Sequence, residues 1–403
     1  MKLFQKLLLG PVAVGLLSPI AASASEANLD DVTSYAVSNS DITRDSFKPL
    51  SSKNPLLAGG EGLNNNPSDG DFDGDTFSST TSASFESNWA AGAVDGLSNE
   101  EKLGVIFDYK IALTTSFTGN DSLDVEFEAG RGDDRLTELD FAGSGVAKAN
   151  SSQTVKLDSI SYTTTLGDKA TFFLGHGTPG SALYSSACKY SGVGTKTLSD
   201  CGQASSALDV DDVNSAFGAS IDLGRGFTAA AGYEGEGSSS DGLMTNEGVD
   251  AVGVQVAYAA DNYGFSYTFA NIDNNDGAGA LSGDDTTSHN ALNAYYSPNN
   301  QNLPSISFGY EWSHDDSKAS SEDQTTNYFI GIQWDELGDG TLGAAIGTKT
   351  PTAESSDDLM IYEAFYSYNY ADGITITPLF FVKENSGSTS DETGIVLKST
   401  FEF

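Results

Sequence analysis

Apolar and polar residues alternate with a period of two along most of the chain. The clearest apolar sets are Leu103, Val105, Phe107, Tyr109, Ile111, then Leu123, Val125, Phe127, then Phe227, Ala229, Ala231, Tyr233. Val252, Val254, Val256, Tyr258 and Tyr263, Phe265, Tyr267, Phe269 follow, then Ile306, Phe308, Tyr310, Trp312 and Tyr328, Ile330, Ile332, Trp334. Tyr362, Tyr366, Tyr368, Tyr370 and Ile374, Ile376, Phe380, Val382 lead into the closing stretch GIVLKSTFEF. There Ile395, Leu397, Ser399, Phe401 and Phe403 share one side, and Val396, Lys398, Thr400 and Glu402 the other. Small, polar and charged residues fill the intervening positions, which is the period of strands and not of helices. Residues 154–176 alternate less cleanly, and Pro378 requires a bulge or a position that needs no ladder donor.

The connections alternate too. Tight turns fall around Gly119, Gly167-Asp168, Gly224-Arg225-Gly226, Asp261-Asn262, Asn299-Asn300, Gly338-Asp339-Gly340 and Asp372-Gly373. Between them lie longer polar stretches at 91–101, 130–153, 177–212, 235–248, 272–287, 313–324, 349–357 and 384–391. A meander closed around a membrane produces this alternation, with short turns on the periplasmic side and long loops outside. The reading is therefore an all-β fold: a transmembrane antiparallel β-barrel of about sixteen strands, its apolar sets toward lipid and its polar sets toward a wet lumen. The competing reading is a secreted, acidic, calcium-binding β-sandwich or adhesin, for which loop lengths should be random.

The chain begins with Lys2, Lys6, an apolar run from Leu7 to Leu17 and the small-x-small motif Ala22-Ser23-Ala24, which predicts a cleaved Sec signal peptide over 1–24. Residues 25–75 show no sustained period and are read as an acidic tail or linker, leaving 76–403 for the barrel. The run Asp69, Asp71, Asp73, Gly74, Asp75 resembles the start of a calcium loop. Thr80 stands where the bidentate Glu should be, so an acidic linker is the better reading and no metal site is assigned. The formal net charge of −38 makes nucleic acid an improbable partner. Cys188 and Cys201 are the chain's two cysteines, and in an exported protein they are expected to form one disulfide closing the 177–212 stretch, worth about 3 kcal/mol on the chain-entropy view.

The leader MKLFQKLLLGPVAVGLLSPIAASA, the segments TTNYFIGIQWDELGDGTLGAAIG and LMIYEAFYSYNYADGITITPLFF, and the closing TFEF resemble cyanobacterial outer-membrane porins. That group lies in the carbohydrate-selective porin superfamily and includes iron-uptake porins. The chain departs from it by lacking room for the usual surface-layer-homology domain and coiled coil before the barrel, which leaves peptidoglycan attachment through that domain unsupported. The resemblance implies an outer-membrane diffusion pore for inorganic ions, iron among them, and small hydrophilic solutes such as sugars. It also implies assembly by the barrel-assembly machinery, with Phe401 and Phe403 in the terminal signal, contact with outer-membrane lipid, and a homotrimer. In sixteen-stranded porins the loop matching 177–212 folds inward, which makes Lys189, Lys196, Asp200, Asp209, Asp211 and Asp212 the candidate constriction residues.

Turning the apolar sets to lipid puts Asp124, Glu126, Glu128, Glu234, Glu311 and Glu363 in the lumen with Lys102, Lys110, Lys383 and Lys398. Rings of carboxylates favour cations and rings of lysines favour anions. Trp312, Trp334 and Tyr370 are candidates for interfacial aromatic girdles. No catalytic constellation is legible: His176, His289 and His314 are far apart, with His289 and His314 in or beside polar loops and read as surface residues, and neither HExxH nor G-x-S-x-G occurs. The expectation is no cofactor and no enzyme.

Overall fold

The computed structural model describes residues 81–96, 102–132, 136, 154–193, 198, 201, 215–237, 242–245, 248–273, 286–300, 302–316, 323–348, 352–353, 358–387 and 389–403. The leader, the tail, the Asp69–Asp75 run, Lys196, Asp200, Asp209, Asp211 and Asp212 lie outside the described residues.

The strands are β1 (Thr81–Asp95), β2 (Gly104–Thr115), β3 (Asp121–Arg131), β4 (Lys156–Leu166), β5 (Ala170–His176), β6 (Ser215–Gly224), β7 (Phe227–Gly235) and β8 (Asp250–Ala259). They continue as β9 (Tyr263–Asp273), β10 (Thr286–Tyr296), β11 (Ser305–Asp315), β12 (Gln324–Trp334), β13 (Gly340–Thr348), β14 (Thr352–Ala353), β15 (Met360–Ala371), β16 (Ile374–Lys383) and β17 (Glu392–Glu402). Each pairs antiparallel with its neighbours in sequence, and β1 pairs with both β2 and β17, so the sheet closes on itself. The two-residue β14 pairs only with β12, beyond the end of β13, and adds no stave of its own. The result is a closed antiparallel barrel of 16 strands. Closure leaves no sheet edge, which is the condition for a sheet to cross lipid. A sandwich would have left edges.

Sidedness is the reverse of a soluble protein's. Along β8 and β9, Val252, Val254, Val256, Phe265, Tyr267 and Phe269 are exposed while Gln255, Ser266 and Thr268 between them are buried. Water would penalise such an outer surface, whereas hydrocarbon does not. Aromatic pairs gather toward both rims of the wall. Phe227 and Tyr258 lie 4.7 Å apart between centroids near the 225–226 turn, and Tyr310 and Trp312 lie 5.7 Å apart near the opposite end of β11.

Turn chemistry sets the short connections. Asp121 Oδ1 accepts from the Phe117 and Thr118 amides at 3.0 and 2.8 Å and from the Ser116 and Thr118 hydroxyls at 2.8 Å each. Its Oδ2 accepts from the Tyr162 hydroxyl at 2.9 Å, tying the 116–120 turn to β4. Pro378 is accommodated as a missing donor requires: pairing between β15 and β16 lapses from Leu379 to Ile376, opposite the proline, while its pairing with Leu397 of β17 persists. The last residue completes the ring. Phe403 N–H donates to the Phe85 carbonyl at 3.0 Å, Phe85 N–H donates to the Phe403 carbonyl at 2.8 Å, and the two rings stack at 5.5 Å.

Candidate permeation pathway

The strand parity that turns Val254 outward turns Gln255 inward, and the inner face is where any path through the barrel must run. Among the described residues, a long stretch of one connection runs along it. From Gly177 onward the loop between β5 and β6 leaves the rim and runs along the inner wall, touching strands from β7 to β15 in turn. The Gly180 amide donates to Glu234 Oε2 on β7 at 2.9 Å. Next, Gln255 on β8 grips Ser185: its Oε1 accepts from the Ser185 amide at 2.6 Å, and its Nε2 donates to the Ser185 carbonyl and to Thr268 Oγ1, each at 2.9 Å. The Lys189 amide donates to Ser307 Oγ on β11 at 2.9 Å. The Ser191 amide and hydroxyl both donate to Gln333 Oε1 on β12, at 2.8 and 2.9 Å. Finally the Tyr190 hydroxyl donates to Glu363 on β15, and burial together with that carboxylate pushes the phenol well above its usual range.

Glycines make room for this path. A Cβ on Gly232 would stand 1.9 Å from the Gly180 carbonyl oxygen, and one on Gly309 would stand 2.2 Å from that of Cys201. Gly331 faces the Tyr190 ring in the same way. Beside the polar clasps the contact is apolar: Tyr190, Val193, Leu198 and Cys201 pack with Phe329, Ile361, Phe365, Leu379, Phe381 and Val396 in one buried cluster. Cys188 and Cys201 are joined as a disulfide with Cα atoms 5.9 Å apart. It pins two passes of the loop together, one seated at Ser307 and Gln333, the other over Gly309 and Gly347. The loop is thereby fastened across the lumen by polar clasps, apolar packing and a covalent staple.

A closed barrel with a loop fastened inside it is the architecture of a narrowed pore, and the family comparison agrees. A family model described as Gram-negative porin matches residues 12–385. The chain belongs to the Gram-negative porin family. No curated protein matches its sequence significantly. Among solved structures, this porin is similar to the high-pH structure of Pseudomonas putida OprB, with TM-score 0.58 and 11% identity, covering 80% of this chain and 94% of that one. A mutant of Rh. blastica porin aligns at TM-score 0.47 and 14% identity, covering 80% of this chain and all of that one (100%).

The porin's charged positions fall into two groups. Glu234 and Glu363 face inward but lie beneath the loop, 1% and 4% exposed, where they hold Gly180 and Tyr190 and do not border open lumen. Asp124, Glu126, Lys110 and Lys398 also face inward, on the wall built from β1 to β4 and β17, and are more accessible. On that wall Lys110 Nζ pairs with Glu126 Oε1 at 2.8 Å, and Glu128 is buried alongside. Lys383 pairs with Glu392 at 3.4 Å near the outer end of β16, and Lys102 is exposed just before β2. Lys189 carries its ammonium 5.1 Å from the Tyr295 ring centroid, on the inner side of β10.

His289 departs from its sequence-based assignment. It sits on β10, beside the 272–287 stretch, but faces inward and not the surface, with its Nδ1 2.7 Å from Glu311 Oε1. The outward positions of this strand include Ser288 and Asn290, so the apolar alternation is faint there; Asn290 is satisfied by the Tyr267 hydroxyl at 2.7 Å. The residues that sequence reasoning missed are Gln255, Gln333 and Ser307. Glutamine at an inward position, bracketed by apolar outward neighbours, is the signal that marks the two glutamines; Ser307 carries none.

Proposed function

We propose that this outer-membrane porin passes inorganic ions, iron among them, and small hydrophilic solutes such as sugars by passive diffusion, with a preference for cations. The observation that carries the pore reading is the inward course of residues 177–193 along the wall of a closed barrel, with partly accessible charged side chains such as Lys110 and Glu126 on the β2–β3 wall. The cation preference rests on the acidic excess of the chain and on the inward carboxylates Asp124, Glu126 and Glu128. Lys189, Lys196, Asp200, Asp209, Asp211 and Asp212 belong to the same proposal as constriction residues, the two lysines offsetting part of the charge of the four aspartates. Iron and sugars come from the resemblance to the cyanobacterial iron-uptake group, as do assembly through the barrel machinery and a homotrimer; the Sec leader over 1–24 rests on Lys2, Lys6, the apolar run and Ala22-Ser23-Ala24.

A planar bilayer with a salt gradient tests this directly. The reversal potential should favour cations, and a graded series of sugars should reduce conductance up to a size limit. Absence of any current from folded protein defeats the pore reading. Replacing Asp209, Asp211 and Asp212 together by Asn should move the reversal potential toward anions, and an unchanged value removes them from the constriction.

A further inference from the structure

Among the described residues, few buried polar side-chain atoms lack a hydrogen-bond partner, and three of them are neighbours: Ser266 Oγ, Asn293 Nδ2 and Glu311 Oε2. Cross-strand register makes them so. Ser266 of β9 pairs with Asn293 of β10, which pairs with Gly309 of β11, and Glu311 is the next inward position along β11. All three residues are at least nine-tenths buried, at 1%, 2% and 5% exposure. The Asn293 carboxamide leans over Gly309, 3.4 Å from where a Cβ would be, and the carbonyl oxygen of Cys201 points at the same spot from the loop, 2.2 Å from it. Such a concentration of unsatisfied groups beside a carboxylate is costly unless something occupies the space between them.

Charge identifies the occupant. Strands β9 to β12 contain no lysine or arginine, so no permanently cationic side chain of that wall reaches Glu311. His289 engages only Oε1 of Glu311, and Oε2 is left without a partner. Lys189 is committed elsewhere: its ammonium lies over Tyr295, two pairs along β10 from Asn293 on the side away from Ala291 and Glu311. A single carboxylate with neutral oxygen donors around it matches one positive charge better than two.

We propose that Glu311, Ser266, the Cys201 carbonyl and Asn293, its carboxamide turned over so that Oδ1 stands where the unpartnered Nδ2 is now, form a binding site for a monovalent alkali cation between the inner wall and the disulfide-closed loop. The proposal goes beyond the diffusion reading and depends on it only for how the ion arrives. In this place the cation would join the loop to β9–β11.

Thallium(I), a heavy stand-in for potassium, provides the test. Crystals of the full mature porin soaked in a thallium(I) salt should show an anomalous peak within coordinating distance of Glu311 Oε2, absent in Glu311→Gln crystals whose Cys188–Cys201 sulfur peak remains. Should Glu311→Gln fail to fold, Ser266→Ala and Asn293→Leu should each weaken the peak. Wild-type crystals with no thallium at this position, whether it holds ordered water or a carboxyl group donating to the Cys201 carbonyl, overturn the proposal. Bilayer conductance of the same preparation reports separately on the pore, so a conducting porin without the peak refutes the site alone.

Discussion

Replacing Gln255 by Leu should loosen the inner loop well away from the substitution. Leu fills nearly the same volume but leaves the Ser185 N–H and C=O, now bonded at 2.6 and 2.9 Å, facing an apolar side chain. Each orphaned group costs about 1–3 kcal/mol, and partial rehydration favours the lower end, so docking should weaken by about 2–3 kcal/mol. The Thr268 hydroxyl also loses a donor at 2.9 Å, but it can rotate and adds little. At about 1.4 kcal/mol per tenfold, the open population of the loop rises roughly 30- to 140-fold.

Hydrogen exchange followed by mass spectrometry on the detergent-solubilised barrel reads this population. The informative amides are Lys189 and Ser191, which bond to Ser307 and Gln333 at 2.9 and 2.8 Å and are untouched by the substitution. If the clasps act together, both exchange faster by that factor, while strands such as β8 and β9 keep their protection. Acceleration confined to Ser185 would refute the reasoning: each clasp would then be independent, and the disulfide with its apolar cluster would be holding the loop unaided.

Four further outcomes follow from the same geometry. Gly309→Ala places a methyl 2.2 Å from the Cys201 carbonyl oxygen, so the loop must lift; open-channel noise in single-channel records should increase and oxidation of Cys188 with Cys201 should slow during refolding. Deleting Phe403 removes two backbone bonds to Phe85 and the 5.5 Å ring stack, about 2–4 kcal/mol at the seam, and should reduce the fraction of fast-migrating unheated barrel on a gel. Val254→Arg puts a charge on the lipid face near mid-strand and should cost about 2–4 kcal/mol in denaturant refolding into vesicles. Asp121→Ala strands the Phe117 and Thr118 amides of an exposed turn and should cost about 1–2 kcal/mol in the same assay.

Strand positions, their sidedness and the alternation of turn and loop were legible because each is a local property. Val252 to Val256 show their face by spacing alone, and Asp372-Gly373 announces a turn whatever surrounds it. What stands across the lumen is not local. Glu234 and Glu126 look alike in sequence, each an inward carboxylate, yet one is covered by Gly180 of the loop and the other keeps a partly open surface beside Lys110. The run Pro378-Leu379-Phe380-Phe381 illustrates the same limit. Phe380 meets lipid as its spacing predicts, but Leu379 and Phe381 face inward, where a lumen of water alone would have selected polar residues. Only the loop that covers them explains their character.

That apolar inner patch bears on how the narrowing is kept in place. Hydrogen bonds alone would hold the loop weakly against a water-filled interior, since each exchanges with solvent at a net gain of about 1 kcal/mol. Burying Tyr190, Val193 and Leu198 against Phe329, Ile361, Phe365 and Phe381 adds a term that water cannot compete for. The clasps at Gln255 and Gln333 then determine register, and the Cys188–Cys201 bond determines the separation of the two passes. A pore built this way should hold its size against salt, which screens charges but leaves apolar packing and carboxamide bonds intact. The permeation limit for neutral sugars should therefore be the same at low and high ionic strength, even as ion selectivity weakens. A sugar cut-off that widens with salt would mean instead that charge pairs set the constriction.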